Sequence, residues 1–223
     1  MPSYGRIAHP DTPIAATLHP VTAHPDYSTD VTRTNKFYWE NGAWLDQGNF
    51  GTCVGNALAH RRADAPKPVT GIDEAWAQNL YVQASGDTSM QQGTSAILAC
   101  RVLQDWGDIS AYYWMSDADE LRNTVLNVGS VCIGVYWYYS MEYPYAYNNN
   151  MYININEASG IAGGHEVLVN GVNLAPAVGK PYYRIKNSWG RGWGHNGTVR
   201  VFTEDLENLI FNSDGDAVLI MEN

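Results

Sequence analysis

Cys53 is the residue of this sequence whose surroundings best suit covalent chemistry. It follows a loop, residues 45–52, that contains two glycines, and it begins a predicted helix. The N-terminus of a helix presents unpaired N–H groups and a partial positive charge, which favour a thiolate over a thiol. The pattern therefore predicts a nucleophilic thiolate at Cys53. The backbone N–H of Cys53 and the side-chain amide of Gln47 are candidate donors to a developing oxyanion.

His165 is the candidate proton partner of that thiolate. It stands at the entry of a predicted strand, directly after Gly163 and Gly164, which let a substrate backbone approach closely. An imidazole that moves protons needs an acceptor on its other nitrogen, and Asn187 at the end of another predicted strand is suited to this. Trp189 is expected to cover the His–Asn hydrogen bond and to exclude water from it.

Three segments of the chain carry a resemblance to a known family. They are Gln47-Gly48 with Gly51-Thr52-Cys53; Gly164-His165; and Lys186-Asn187-Ser188-Trp189-Gly190 followed by Gly192-Trp193-Gly194 and Asn196-Gly197. The last segment is the most specific, because such a run is very unlikely to arise by chance. Over about residues 37–223 the sequence resembles the papain-like cysteine peptidases.

The resemblance implies a role for each of these residues. Cys53 is the implied nucleophile, His165 the general acid and base, and Asn187 the residue that orients the imidazole. Gln47 is the implied oxyanion donor, and Gly93 is implied to pair with the substrate backbone. The implied fold is α+β, with a helical left domain, a β-barrel-like right domain and the active site in the cleft between them.

The sequence departs from the family at several positions. Phe50 stands where the family usually has a cysteine, so the usual disulfide is absent, and Val54 replaces a common aromatic after the nucleophile. Glu166 follows His165 where a small residue is common. We expect Glu166 to be a solvated strand residue; alternatively, it raises the pKa of the imidazole or lines a substrate pocket. The candidate substrate-binding residues are therefore Gly93, Gly164, Glu166 and Trp189.

The periodicity of the chain also favours an α+β fold, with helices first and strands second. Four helices are predicted, with caps at Thr52, at Thr70 with Asp73, after Gly93, and at Ser116 with Asp119. Strands are predicted over residues 131–135, 166–172, 182–187, 198–202 and 217–221. Val167 and Val169 are expected to share one face.

The chain divides into three predicted parts. Residues 1–36 are rich in proline and histidine and read as an extended arm that lies on the domain or on a partner. The arm's histidines, His9, His19 and His24, are predicted to be solvated. Residues 37–112 form the helical half with the nucleophile, and residues 113–223 form the β-rich half with His165 and Asn187. The family's long inhibitory propeptide does not fit into 36 residues.

The composition excludes several classes of function. The chain has 13 basic and 23 acidic residues and a net charge of −10, which disfavours nucleic-acid binding. No apolar run predicts a signal peptide or a membrane span, so a cytoplasmic or virion-associated location is expected.

No cofactor or metal is predicted. The chain has three cysteines and no CxxC motif, so Cys100 and Cys132 read as core residues rather than metal ligands. The Asp214–Asp216 segment reads as a turn, and His60 and His195 as surface or supporting residues.

Three functions are consistent with these features. The first is a cysteine endopeptidase that cleaves peptides or proteins through an acyl-thioester. The second is a structural protein of a virion or other assembly, because a disulfide-poor form resembles papain-like domains of bacteria and bacteriophages; the arm would then contact other subunits. The third is a cell-wall peptide hydrolase or transpeptidase, which uses the same chemistry on another amine or acid.

Overall fold

A computed structural model describes residues 4–12, 17, 19–30, 32–40 and 42–223. Its α-helices are α1 (Cys53–Ala63), α2 (Glu74–Ser85), α3 (Ala96–Asp105), α4 (Ala118–Asn127) and α5 (Thr203–Phe211). Its strands are β1 (Asn35–Lys36), β2 (Ile109–Trp114), β3 (Val131–Tyr138), β4 (Tyr145–Tyr147), β5 (Asn150–Tyr152), β6 (Ile161–Asn173), β7 (Tyr182–Lys186), β8 (Thr198–Phe202) and β9 (Asp216–Glu222). Short 3₁₀ helices cover Val21–Ala23, Tyr139–Glu142 and Glu157–Ser159.

In the described part of the chain, the strands form one sheet in the order β2-β9-β3-β6-β7-β8-β5-β4, and β1 also pairs with β6. β6 is the longest strand, with 13 residues, and it pairs antiparallel with β3 and β7. Because His165 and Glu166 lie in β6, the centre of the sheet positions both residues.

The two faces of the sheet pack against different helices. Val167 and Val169 share one face, as predicted, and pack with the apolar residues of α4 and α5. Leu168, between them in the strand, belongs to the cluster that contains α1 and α3. Successive side chains of a strand point to opposite faces, so each neighbour along β6 enters a different core.

Helix α1, which begins at Cys53, is buried along its whole length. A Cβ at Gly55 would lie 2.2 Å from the carbonyl oxygen of Ala77, so glycine is required where α1 meets α2. Polar side chains of α1 are paired: Arg61 forms an ion pair with Glu222 at 2.6 Å. His60 is fully buried, so the alternative of a surface position is wrong. It accepts a hydrogen bond from the Leu45 N–H, so it supports the loop that begins at Leu45.

The helix caps differ from the sequence prediction. Helix α2 begins one residue after Asp73, whose carboxylate accepts the Trp76 N–H; Thr70 therefore lies outside the cap. Asp117 caps α4 in the same way, by accepting the Glu120 N–H. In both helices the N-cap residue is an aspartate, whose carboxylate pairs with a free N–H of the first turn. The capping boxes predicted at Thr70 and Ser116 therefore place the N-cap at the wrong residue. Thr52 stands at the N-cap of α1 without a side-chain cap bond.

The predicted order of helices first and strands second is also wrong in detail. Strand β2 lies between α3 and α4, and helix α5 lies between β8 and β9. Helix α5 has no side-chain cap, and its start is marked in the sequence by acidic residues in the first turn, Glu204 and Asp205, which the sequence prediction did not use. Cys100 and Cys132 are fully buried, which confirms their prediction as core residues. Among the described residues, no helix is long and apolar enough to cross a membrane.

Candidate active site

Cys53 lies at the first position of α1 and is fully buried. Burial raises the pKa of its thiol to about 12, although the backbone amides of Glu166, Gly5 and Val54 lie against the sulfur and oppose this rise. Loss of solvation thus opposes the predicted thiolate and outweighs the helix N-terminus while the site is closed. A thiolate at Cys53 stays a prediction.

A hydrogen bond joins His165 to Asn187 and fixes the tautomer of the imidazole. His165 Nε2 lies 2.9 Å from Asn187 Oδ1, and the backbone N–H of Ser188 donates to the same oxygen at 2.8 Å. Since an N–H of the backbone is always a donor, Asn187 presents oxygen at this point, and Nε2 must carry the hydrogen. The lone pair of the neutral imidazole is then on Nδ1.

Aromatic rings enclose the imidazole of His165. Trp189 stacks on it, with ring centroids 4.8 Å apart and an interplanar angle of 25°. Trp137 and Tyr4 contact it edge-on, at 4.9 and 5.7 Å between centroids. Burial lowers the pKa of His165 to about 4, and the bond to Asn187 offsets only part of that shift. Among the described residues, Nδ1 has no hydrogen-bond partner.

Gln47 is held in the loop before Cys53 by the same segment that orients His165. Its Oε1 accepts a hydrogen bond from Ser188 Oγ at 2.6 Å, and its backbone N–H donates to the Ser188 carbonyl at 2.9 Å. Its Nε2 donates to the carbonyl of Phe50 at 2.7 Å, within the loop before Cys53. Ser188 therefore connects the amide of Gln47 to Asn187, and this fixes which end of the amide faces the loop.

Glu166 is fully buried, so a solvated position is wrong. It follows His165 in β6 and therefore points to the opposite face, where it does not lie beside the imidazole. Burial raises the pKa of its carboxyl, and the nearby charge of Asp216 adds to the rise. The strand entry thus presents two surroundings, an aromatic one at His165 and an acidic one at Glu166.

The N-terminal arm lies across Cys53. Gly164 O accepts hydrogen bonds from the N–H groups of Gly5 and Arg6, at 3.1 and 2.9 Å. On the other side, Thr94 N–H donates to Gly5 O and Thr94 O accepts from Ile7 N–H, both at 2.7 Å. The arm is therefore bound through its backbone on both walls of a cleft. It is the Gly5 N–H that lies against the sulfur, while the Gly5 carbonyl is bound to Thr94.

Glycines in the cleft allow this close approach. A Cβ at Gly164 would lie 2.1 Å from Arg6 O, and one at Gly93 would lie 2.4 Å from Gly5 O. Gly93 does not make the backbone pairs itself. Its N–H donates to the Tyr81 hydroxyl at 2.8 Å, and its φ of +83° turns the chain at this point. The backbone N–H and carbonyl that bind the arm are therefore those of Thr94.

Sequence reasoning missed six residues of the site: Tyr4 and Arg6 of the arm, and Thr94, Trp137, Ser188 and Asp216. Ser188 lies inside the most specific motif, so its position carried a signal. Asp216 was part of a segment that reads as a turn, but it begins β9, is buried and contacts Arg6. The arm's His24 is also buried rather than solvated, whereas His195 is exposed. Within the described ranges, no three His, Cys, Asp or Glu side chains come together as a metal site.

Comparison with solved structures identifies the fold as papain-like. Xylellain, a cysteine protease from Xylella fastidiosa, aligns over 99% of this chain and 96% of its own, with 17% identity and a TM-score of 0.68. Digestive procathepsin L2 from the larval midgut of Tenebrio molitor aligns over 98% and 78%, with 15% identity and a TM-score of 0.70. Bromelain from Ananas comosus, solved with the inhibitor E64, aligns over 86% and 100%, with 15% identity and a TM-score of 0.65.

Comparison of sequences gives the family. Cathepsin C from Schistosoma mansoni is 23% identical over 140 residues, which are 59% of this chain and 30% of that protein; the chain thus matches less than a third of this relative. The model of the papain family cysteine protease matches residues 69–213, a range that includes His165 and Asn187 and begins after Cys53. The chain therefore belongs to the papain family of cysteine proteases.

Proposed function

We propose that this protein is a cysteine endopeptidase that cleaves peptide bonds through an acyl-thioester. Nδ1 of His165 takes the thiol proton of Cys53, and the sulfur attacks the substrate carbonyl carbon. The imidazolium then gives that proton to the leaving amine as the carbon–nitrogen bond breaks. In the second half, Nδ1 takes a proton from water while the water oxygen attacks the thioester carbon. The carbon–sulfur bond then breaks, the imidazolium returns the proton to the sulfur of Cys53, and the carboxylic acid is released.

The remaining residues support this chemistry by orientation. The shared Asn187 oxygen keeps the hydrogen on Nε2, so that Nδ1 remains the base. The Cys53 N–H and the Gln47 amide are the proposed donors to the oxyanion, where one such donor contributes about 10²–10³ in rate. Trp189 keeps water from the His–Asn bond. Gly164 and the turn at Gly93 admit the substrate backbone.

One observation carries the proposal: an extended peptide segment, the arm, already lies over Cys53 and is bound through its backbone. A cleft that holds a peptide in this way suits a peptide substrate better than a small ligand. The arm offers the sulfur an N–H instead of a carbonyl, so it occupies the cleft without presenting a bond for cleavage. Turnover therefore requires that the arm leave the cleft.

Hydrolysis of casein and of quenched fluorescent peptides tests the proposal. The full chain is compared with Cys53→Ala and with Cys100→Ala, a matched control that removes a buried thiol elsewhere in the core. We expect Cys53→Ala to lose hydrolysis and labelling by a thiol-directed epoxide, and Cys100→Ala to retain both. Retained hydrolysis in Cys53→Ala would overturn the proposal.

The finer hypotheses from the sequence come from the resemblance, except the cytoplasmic location, which comes from the lack of a predicted signal peptide. A bacterial or bacteriophage origin, a virion or assembly role, a cytoplasmic location, and action on cell-wall peptides each need their own test. Incubation with peptidoglycan stem peptides beside casein distinguishes the cell-wall function from general proteolysis. Labelling of Cys53 in an isolated particle and in the free protein distinguishes the assembly role.

A further inference from the structure

The side chain of Arg6 leaves the arm and enters a buried acidic pocket next to Cys53. Arg6 Nη2 lies 2.6 Å from Asp216 Oδ2 and donates to the Asp214 carbonyl at 2.9 Å. The side chains of Arg6 and Asp216 are only 3% and 7% exposed. Glu166 lines the same pocket. A guanidinium of the arm is thus held by acidic groups that belong to the sheet.

Gly134 makes the space for this guanidinium. In the sheet, Gly134 of β3 is paired with Glu166 of β6 on one side and with Asp216 of β9 on the other. A Cβ at Gly134 would lie 2.6 Å from Glu166 Oε2, 2.7 Å from Arg6 Nε and 2.8 Å from Asp216 Oδ1. Any side chain there would fill the pocket. The three groups therefore converge on one point above a glycine.

The acidic groups of the pocket favour a cation, because burial raises the pKa of Glu166 and of Asp216 while the charge of Arg6 lowers it for both. Glu166 and Asp216 are both buried, and in the described part of the chain both oxygens of Glu166 and Oδ1 of Asp216 have no hydrogen-bond partner. Arg6 is the cation that the structure holds against them. When the arm leaves, as turnover demands, the pocket loses its cation, and its acceptors are left to water and the Gly134 N–H. A substrate cation restores the lost ion pair, so an equivalent cation is favoured.

We infer that the pocket formed by Gly134, Glu166 and Asp216 selects substrates with a basic side chain, arginine above all, and that Arg6 occupies it in their place. This inference rests on the proposed peptidase function, since it names the substrate class of the same cleft. A guanidinium fits because it is a permanent cation with several donors in a plane. Neutral side chains leave the carboxylates unpaired, and acidic ones add repulsion.

Cleavage profiling of the full chain carrying Arg6→Ala tests the inference, because this variant frees the pocket. Peptide libraries with Arg, Lys, Leu or Glu at each position of the substrate identify which substrate residue binds in the pocket. We expect kcat/KM at one position to be at least about 10-fold higher for Arg than for Leu, since neutral analogues are rejected where buried polar groups would stay unpaired. Asp216→Asn in this background is expected to remove most of that ratio. Asp105→Asn, the same change at an exposed position outside the cleft, is the matched control.

Two further measurements keep the inference separate from the proposed function. Gly134→Ala in the Arg6→Ala background fills the pocket with one methyl group and is expected to lower kcat/KM for Arg peptides more than for Leu peptides, so that the preference for Arg is lost. Ethylguanidinium at millimolar concentration is expected to raise the melting temperature of Arg6→Ala more than that of the wild type, with tetramethylammonium as the ionic control. This second readout needs no catalysis.

The outcomes point to different failures. Equal cleavage of Arg and Leu peptides, or an unchanged ratio in Asp216→Asn, overturns the pocket and leaves the peptidase intact. Loss of all hydrolysis and all Cys53 labelling in Arg6→Ala, with the guanidinium effect present, overturns the peptidase and leaves a cation pocket. Absence of the guanidinium effect as well overturns both.

Discussion

Two adjacent residues of β6, His165 and Glu166, face regions of opposite character. The His165 side is enclosed by aromatic rings, and its hydrogen bond to Asn187 is made within the domain. The Glu166 side is acidic, and its buried carboxylates meet a cation only because Arg6 of the arm enters. The first region is nearly complete without the arm. The second is incomplete without it.

The aromatic region therefore serves the proposed reaction, and the acidic region controls access to the cleft. The aromatic region can hold a neutral imidazole in one tautomer whether or not the arm is bound. The acidic region gives the arm a buried anchor, and that anchor places Gly5 over the sulfur of Cys53. Substitutions in the first region should therefore change turnover, whereas substitutions in the second should change access and specificity.

The largest effect is expected from Cys53→Ala. Because the sulfur forms the proposed thioester, we expect kcat to fall by at least about 10⁴-fold, with an unchanged melting curve. Steady-state hydrolysis of a fluorogenic peptide measures this. Cys100→Ala, a core cysteine on α3, serves as the control and should stay within a few-fold of the wild type.

The next effect is an increase in access, expected from Arg6→Ala. Breaking a buried ion pair costs about 3–5 kcal/mol, and about 1.4 kcal/mol corresponds to a factor of ten, so epoxide labelling of Cys53 should speed up by about 100-fold or more. Arg101→Ala removes the exposed Arg101–Asp11 pair of the same arm, where both side chains are 47% exposed. An exposed pair contributes about 0–1 kcal/mol, so this control should change the rate less than about 5-fold. If Arg6→Ala and Arg101→Ala accelerated labelling equally, the acidic region would not be the anchor of the arm.

Asn187→Ala should lower kcat in the Arg6→Ala background by about 100-fold, because a misplaced catalytic group typically costs that much. KM should change little, since Asn187 contacts the imidazole and not the cleft wall. Measured kcat and KM with an Arg-containing peptide separate these. A change in KM alone would mean that Asn187 acts in binding instead of orientation.

A pH dependence is also expected, and it compares the closed cleft with the open one. In the closed structure the pKa of Cys53 is about 12, so its thiolate fraction grows with rising pH across the neutral range. Labelling of the wild type by iodoacetamide should then rise about tenfold per pH unit from about pH 7 to 10, since only the thiolate reacts. In Arg6→Ala, water enters, the pKa falls, and the rate should level off at lower pH. A flat profile in the wild type would contradict the buried, neutral thiol.

The sequence predicts those features of the site and the fold that depend on residues close together in the chain. The run from Asn187 to Gly194 is one continuous motif. It indicated the family, the residue that orients the imidazole (Asn187) and the ring that covers the His–Asn bond (Trp189). Strand periodicity predicted that Val167 and Val169 share a face, and the structure confirms it. By the same rule Glu166 cannot lie beside the imidazole of its neighbour, so that alternative was already excluded by geometry.

The rest depends on contacts that are distant in the chain. Arg6 and Asp216 are far apart in the sequence, and no local pattern links a residue of the arm to the first residue of β9. The raised pKa of Cys53 is likewise a consequence of burial, which the helix N-terminus alone does not predict. Asp73 and Asp117 show the same limit on a smaller scale, because a capping box that begins at Thr70, three residues earlier, or at Ser116, one residue earlier, fits the sequence equally well.

Mass spectrometry of the acyl-enzyme tests the central claim most directly. The Arg6→Ala chain is mixed with an activated ester of an Arg-containing peptide, quenched in acid and digested, and the acylated residue is identified. The account predicts the acyl group on Cys53, at higher occupancy than in the wild type, and none in the Cys53→Ala form of the same chain. An acyl group on any other residue, or none on Cys53 while the ester is turned over, would contradict it.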